Sequence, residues 1–333
     1  MRTVNRPARP DAPDSPNAPD LSRRTLLAAA GALALAHPLA RAQDKYPSRP
    51  IEFVVPWGAG GGADQLARRA GKLLESELKV SIPVLNVAGA TGNTGTAKML
   101  SAPPDGHTIC IFIGDTLASL AGGKGRWKLS DITPLGVMIR QPSGLFVKAD
   151  ARWKNFAELL ADARTNELKV GVTGFGSVDE ILINQMNAKG HKFRVVPFAA
   201  PGERYTSVLG GHADVVIEQA GDVRSFLTNK QMRPLAFFAD QPQTGYTDIP
   251  LARDSGFPIV ISQFRAIVMR AGTDPKHVAT LAAAVEKVAR SDDFKQYLVD
   301  ELAFADSYIP AAQSAAFFEG ELKRIESNMP AKS

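Results

Sequence analysis

From Ile51 onward, short apolar runs alternate with segments whose apolar residues recur at helical spacing. Ile51–Pro56 (IEFVVP) ends in a glycine cluster, and in Asp64–Lys79 the residues Leu66, Ala70, Leu73, Leu74 and Leu78 fall on one helical face. Ile82–Val87 is strand-like and again ends in glycines (Gly89, Gly92, Gly95), before a short helix running to Leu100. Thr108–Ile113 is a third apolar strand. Three short buried strands, separated by helices and joined by tight glycine turns, predict a parallel α/β unit.

The theme then repeats. Asn155–Asn166 reads as a helix, Leu168–Val172 as a strand, Ser177–Ala188 as a helix after a glycine turn, and Arg194–Phe198 as a strand. A helix near Glu203–Leu209, a strand Ala213–Ile217, a helix Asp222–Asn229 and a strand near Arg233–Phe238 follow. In the tail, Asp274-Pro275 is an N-cap with proline at the first helical position, and Ala311–Asn328 closes the chain as a helix. The pattern therefore holds two α/β units of similar size without a low-complexity linker. A joint is expected near Val147–Asp150, and a return strand at Phe264–Met269 can carry the chain back to the first unit. Two lobes joined by crossing strands form a cleft that closes by hinge motion. A single large doubly wound sheet is the other architecture this pattern allows.

Composition and charge change the picture mainly at the N-terminus. Of 333 residues, 44% are hydrophobic and 22% charged, which excludes general disorder. The formal charge is +5, but six arginines and only three aspartates fall in 1–42, leaving 33 bases against 31 acids beyond. With no dense Lys/Arg block interleaved with aromatics, the remainder lacks a nucleic-acid footprint. A proline-rich stretch leads into Ser22-Arg23-Arg24-Thr25-Leu26-Leu27, an apolar run to Ala36, and Ala40-Arg41-Ala42. That order reads as an export signal over 1–42, of twin-arginine type, cleaved near Ala42-Gln43. The working chain is then expected in the periplasm. The single cysteine, Cys110, excludes an internal disulfide and multi-cysteine metal sites, and its mid-strand setting reads as a small buried apolar residue.

The glycine turns carry the candidate chemistry. Trp57-Gly58-Ala59-Gly60-Gly61-Gly62-Ala63-Asp64 lies between a strand and a helix, where backbone N–H groups and the helix dipole favour an anion. Asn86–Gly95 has the same placement, Gly114-Asp115-Thr116 ends the third strand, and Thr173-Gly174-Phe175-Gly176-Ser177 opens a helix of the second unit. Ligands of open α/β sheets sit at such strand C-termini, so these turns can face one another across a cleft. None contains an arginine or lysine, which favours a carboxylate over a phosphate. Gly58-x-Gly60-x-x-Ala63 also fits a dinucleotide fingerprint, but the next strand ends at Asn86-Val87 without the acid a ribose needs. Nucleophile elbows and His-Glu-x-x-His are missing, and the histidines His107, His191, His212 and His277 are scattered as surface or turn residues. Asp179-Glu180 reads as helix capping or as recognition of a ligand cation or hydroxyl.

These motifs resemble a known family. Tyr46-Pro47-Ser48-Arg49-Pro50-Ile51 followed by Val55–Asp64 is similar to the start of mature Bug-family receptors, the extracytoplasmic solute receptors of tripartite tricarboxylate transporters. The Asn86–Gly95 turn, Pro104-Asp105-Gly106-His107-Thr108, Val196-Pro197-Phe198, Leu209–Asp214 and Asp248-Ile249-Pro250 match in the same order. The resemblance implies an α/β, two-lobe periplasmic-binding-protein (type II-like) fold. Each lobe would be a βα sandwich around a central, mostly parallel sheet, with 46–146 and 267–333 as lobe 1 and 147–266 as lobe 2. It implies a monomeric, non-enzymatic receptor without cofactor or metal, which delivers a small di-, tri- or aromatic carboxylate to membrane permease subunits. Carried over, the ligand contacts are Ala59, Gly60 and Gly61; Ala90, Thr91 and Gly92; and Phe175, Gly176 and Ser177, partly through ordered water. Asp115, Thr116 and Glu218 are further positions facing the cleft, and Arg265 suits a second carboxylate. Trp57, Gly58 and Ala63 stand where the family commonly has phenylalanine, proline and threonine; Trp57, Phe175 and Phe198 together would give a flatter, more aromatic pocket. An exported dinucleotide-dependent oxidoreductase and a carboxylate-sensing module are the alternative functions.

Overall fold

The computed structural model describes residues 46–260 and 262–329; the expected export segment lies outside them. The described strands are β1 (Glu52–Val55), β2 (Val84–Asn86), β3 (Thr108–Ile113), β4 (Ile132–Lys148), β5 (Leu168–Val172), β6 (Phe193–Pro197), β7 (Val215–Glu218), β8 (Met232–Phe238), β9 (Ser262–Arg270) and β10 (Ile309–Pro310). The helices are α1 (Gly62–Leu78), α2 (Asn93–Ser101), α3 (Gly114–Ala121), α4 (Phe156–Thr165), α5 (Val178–Ala188), α6 (Pro201–Leu209), α7 (Arg224–Thr228), α8 (Pro275–Arg290), α9 (Asp292–Asp300) and α10 (Ala311–Asn328).

The strands form one sheet in the order β2-β1-β3-β9-β4-β7-β5-β6, with β8 and β10 also pairing β4. β1 runs parallel between β2 and β3, and β5 runs parallel between β6 and β7. Period-2 alternation assigns each strand residue to one helical layer. Phe53, Val55, Ile109 and Ile111 meet Leu66, Ala70 and Leu74 of α1 and Leu281 and Val285 of α8. Val54, Cys110 and Phe112 face the other layer, with Leu117 of α3 and Phe318 of α10. Burying each such large side chain contributes about 1.5–3 kcal/mol, which is why these strands read as continuous apolar runs. Cys110 is 1% exposed, as its setting predicts. His107 and His191 are buried rather than superficial; the His191 ring bonds the Leu160 carbonyl at 2.9 Å.

The sequence pattern gave no sign of β4, a strand of 17 residues. Its first part pairs antiparallel with β9 from Ile132 to Pro142, and its second part pairs antiparallel with β7 and β8 between Ser143 and Lys148. Pro134, Gly136, Pro142 and Gly144 interrupt the apolar run in sequence; register shifts between Pro134 and Gly136 and between Val137 and Ile139 absorb the irregularity. β4 thus crosses between the two lobes as one continuous strand, with β9 beside it. Its partners change at Pro142–Ser143, a few residues before the joint expected at Val147–Asp150. Helices α3 and α9 were likewise not anticipated. The C-terminal ends of β1 and β3 face those of β5, β6 and β7 above this crossing.

Candidate functional site

The first turn leaves β1 beneath Trp57 and enters α1 through glycines that the opposite lobe requires. A Cβ at Gly61 would lie 2.5 Å from Pro201 Cγ, and one at Gly58 would lie 3.3 Å from the Ala199 carbonyl oxygen. At Gly62 it would collide with Arg265 and Asp222. Asp64, in the first turn of α1, points away from the cleft. Its carboxylate accepts the Gly60 N–H at 3.0 Å, Arg68 Nε at 2.9 Å and Asn86 Nδ2 at 3.0 Å. Those bonds and Arg68 overcome the opposing effect of burial and hold it below the usual carboxylate range. No side chain caps α1 at Gly61. Among the described residues, the N–H groups of Gly61, Gly62 and Ala63 have no loop or side-chain acceptor.

The second turn is backbone-strained where it faces the other lobe. Ala90 (φ 48°) and Thr91 (φ 53°) are left-handed without being glycine, a cost that commonly marks functional loops. Thr91 Oγ1 donates across the cleft to the Phe175 carbonyl at 2.8 Å. Gly92 lets the turn close on Thr116 and Trp57, since a Cβ there would lie 3.1 Å from Trp57 Cζ2.

The second-lobe turn takes up most of its own donors, but among the described residues the N–H groups of Gly174 and Phe175, which line the outer chamber described below, have no acceptor. The Gly176 N–H goes to Glu180, the Ser177 N–H to the Gly174 carbonyl at 3.3 Å, and the Glu180 N–H to Ser177 Oγ at 3.2 Å. Asp115, at the start of α3 in the other lobe, accepts the Val178 N–H at 2.9 Å and Gln263 Nε2 at 2.6 Å. Burial, reinforced by the nearby Asp179 charge, pushes the Asp115 carboxyl up to about 8. Asp179 accepts both the N–H and the hydroxyl of Thr173, so Asp179 and Glu180 both serve the turn itself.

Between the turns lie two adjoining chambers that share Trp57, Thr173 and Ala199. The inner one, about 40 Å³, is walled by Gly61, Gly62, Asp115, Arg204, Tyr205, Glu218, Asp222, Gln263 and Arg265. Arg204 pairs with Glu218, whose Oε2 also accepts the Tyr205 hydroxyl at 2.8 Å. Arg265 pairs with Asp222 and donates to Gln141 at 2.6 Å and to Gln219 at 3.0 Å. Burial raises Asp222 well above the usual carboxylate range, and Glu301 beside it is raised for the same reason. Four buried polar atoms on this wall have no partner: the donors Trp57 Nε1 and Arg204 Nε, and the acceptors Asp222 Oδ1 and Gln263 Oε1. The outer chamber, about 440 Å³, is bounded by Trp57, Gly89, Ala90, Thr91, Asn93, Lys124, Gly174, Phe175 and Pro197. Phe175 stands 54% exposed at its mouth.

Of the residues expected from sequence, Trp57, Gly61, Ala90, Thr91, Asp115, Phe175, Glu218 and Arg265 line one chamber or the other. Ala59 and Gly60 are exposed and border neither. Thr116 and Ser177 are fully buried, Thr116 against Gly92 and Ser177 as the cap of α5, while Gly176 lies under Lys124. Arg265 reaches the cleft with its guanidinium already bound to Asp222 and two glutamines. Arg204, Asp222 and Lys124 were missed. Arg204 alone left a signal: it shares the buried face Pro201–Arg204–Val208 of α6, at helical spacing, with apolar neighbours.

A family model described as the tripartite tricarboxylate transporter family receptor matches residues 66–329. BugT of Bordetella pertussis is similar at 27% identity over 258 residues, which is 74% of this chain and 78% of that protein. A protein of the TAR-I ttuE-ttuC' intergenic region of Agrobacterium vitis is 27% identical over 301 residues, 86% of this chain and 85% of that one. Among solved structures, a ligand-free TctC solute binding protein from Polaromonas aligns at 27% identity with a TM-score of 0.62, covering 85% of this chain and 98% of that one. MatC of Rhodopseudomonas palustris, solved with malate, shares the fold at 24% identity and a TM-score of 0.79, with 85% and 99% coverage.

Proposed function

The chain belongs to the tripartite tricarboxylate transporter receptor family, and from that premise we propose that it is an exported, non-catalytic receptor whose cleft captures a small carboxylate for membrane permease subunits. The observation that carries the ligand class is a pair of buried N–H donors without partners in residues that line the inner chamber, Trp57 Nε1 and Arg204 Nε. A buried donor left unbonded costs about 1–3 kcal/mol, and a carboxylate offers an acceptor to each. The open N–H groups at the start of α1 add the positive end of a helix dipole.

The charges of the chamber favour the same class. Arg204 and Arg265 place two guanidinium groups on the inner wall, and burial pushes the Asp115 carboxyl up to about 8, so it does not repel an incoming anion near neutrality. The inner chamber accepts a head group only, since whole-ligand sites typically need about 300–1,000 Å³; the body of the ligand occupies the outer chamber. A dinucleotide is disfavoured because Pro201 and Ala199 lie against Gly58 and Gly61, where its pyrophosphate would sit. In this reading the lobes hinge where β4 changes partners at Pro142–Ser143, the export segment directs the chain to the periplasm, and among the described residues no helix is long and apolar enough to cross a membrane.

Calorimetric titration of the purified chain with mono-, di- and tricarboxylates tests the proposal. Trp57→Phe keeps an aromatic ring but removes the indole N–H together with the five-membered ring, so affinity for the best acid falls tenfold or more, given about 1.5–3 kcal/mol for a hydrogen bond to a charged group. Absence of binding by any acid at millimolar concentration would sink the reading. Unchanged affinity in Trp57→Phe would remove Trp57 from the contact set.

A further inference from the structure

The two chambers differ in how their charges are balanced. On the inner wall each arginine has a carboxylate partner. On the outer wall, Lys124 is the one charged residue, and among the described residues its ammonium makes no ion pair or side-chain hydrogen bond. Lys124 follows α3 in the first lobe, where its N–H is anchored to the Ser119 carbonyl at 3.0 Å. Its side chain lies across Gly176 of the second lobe: a Cβ at that glycine would sit 3.1 Å from the lysine Nζ and 3.2 Å from its Cδ. Gly176 has φ +79°. The position therefore combines a backbone shape that favours glycine with a bare surface over which the lysine reaches the mouth of the chamber. The remaining outer walls are uncharged and largely apolar, with Trp57, Phe175, Pro197 and Ala199 among them.

We infer that Lys124 is a specificity-determining residue that pairs with a second acidic group at the far end of the ligand. This rests on the carboxylate reading of the inner chamber. The head carboxylate meets Trp57 and Arg204, the apolar body passes along Trp57 and Phe175, and a terminal carboxylate meets Lys124 at the mouth. A monocarboxylate of the same length leaves the lysine unpaired and gains nothing from it. At the exposed rim, water solvates the lysine at little cost, unlike the buried arginines beneath.

The test uses straight-chain acids matched in carbon number, hexanoate against adipate among them, titrated into wild-type protein, Lys124→Met and Arg126→Gln. Arg126 borders the neighbouring groove with Lys124 but does not line the outer chamber, so its variant removes the same charge from the rim without touching the contact. Wild-type protein is expected to prefer the dicarboxylate, Lys124→Met to lose about fivefold to tenfold of that affinity while keeping its monocarboxylate affinity, and Arg126→Gln to resemble wild type. Lys124 is exposed, so the melting temperature of Lys124→Met should equal that of wild type. Retention of the dicarboxylate preference in Lys124→Met, or an equal loss in Arg126→Gln, overturns the assignment while leaving the carboxylate receptor standing. If wild-type protein binds neither acid of any pair, the carboxylate reading fails first and this assignment falls with it.

Discussion

The turns that open α1 and α5 are both glycine-rich strand-to-helix links, and in sequence they looked like equivalent anion sites. Their N–H groups have different fates. At α1 the N-cap is Gly61, whose lack of a side chain leaves the first N–H groups open, and Asp64 is drawn sideways by Gly60, Arg68 and Asn86. At α5 the cap is Ser177, and Glu180, Gly174 and Asp115 take the neighbouring donors. A glycine turn at a helix start becomes a ligand site when its own side chains decline to satisfy it. In the proposed reading the first turn holds the ligand and the second is mainly a shaped wall, latched to the first lobe where Asp115 accepts the Val178 N–H.

The largest effect that would break this contrast is Gly62→Ala. Its methyl group displaces the Arg265–Asp222 pair, and disrupting a buried pair costs about 3 kcal/mol or more of stability, readable in urea unfolding. A loss below about 1 kcal/mol would mean that the first turn does not press against the charged wall as closely as described. Next is the pH dependence. The Asp115 carboxyl stands near 8 when folded and near its ordinary 3.9 or so when unfolded, so the folded chain holds the extra proton between these values. Stability therefore falls as pH rises from about 4 to about 8 and is flat in this respect above. Asp115→Asn keeps an acceptor for the Val178 N–H and should flatten the upper part of that slope; an unchanged thermal-melt profile across pH 6–8 would contradict it. The smallest effect is Ser177→Ala, which removes a cap and costs about 1 kcal/mol of stability. Its ligand affinity should stay within a factor of about two; a larger loss would restore the second turn to the binding surface.

Much of the fold is legible in the sequence. The strands β3 and β5 and the helix α10 fall where the apolar pattern puts them, because each is set by its own residues: an apolar run buried on both faces in β3, alternating apolar residues in β5 and one buried face in α10. β4 was not legible, since Pro134, Gly136, Pro142 and Gly144 read locally as breaks. What makes it a strand is non-local: β9 on one side for the first half, β7 and β8 flanking the second. The site divides the same way. Trp57, Gly61, Ala90, Thr91 and Phe175 sit in local turns and could be named from them. Asp222 and Lys124 gain meaning only from partners far away in sequence: Arg265 for one, Gly176 for the other. Ser177 shows the converse limit, because whether a hydroxyl faces a ligand or its own helix depends on a rotamer that sequence spacing does not encode.

The seam of Gly58, Gly61 and Gly62 against Ala199, Pro201 and Asp222 has a consequence for how such a receptor can diversify. Around the inner chamber the glycines leave no room for a larger residue, and the side chains that remain are tied into buried ion pairs and hydrogen bonds, so most single substitutions there would stop the lobes from meeting or break a pair. The outer chamber is lined by ordinary side chains that can be exchanged one at a time. If the proposed reading holds, new ligand preferences are expected to arise by mutation at the mouth, around Phe175 and Lys124, while the inner chamber passes unchanged from one descendant to the next.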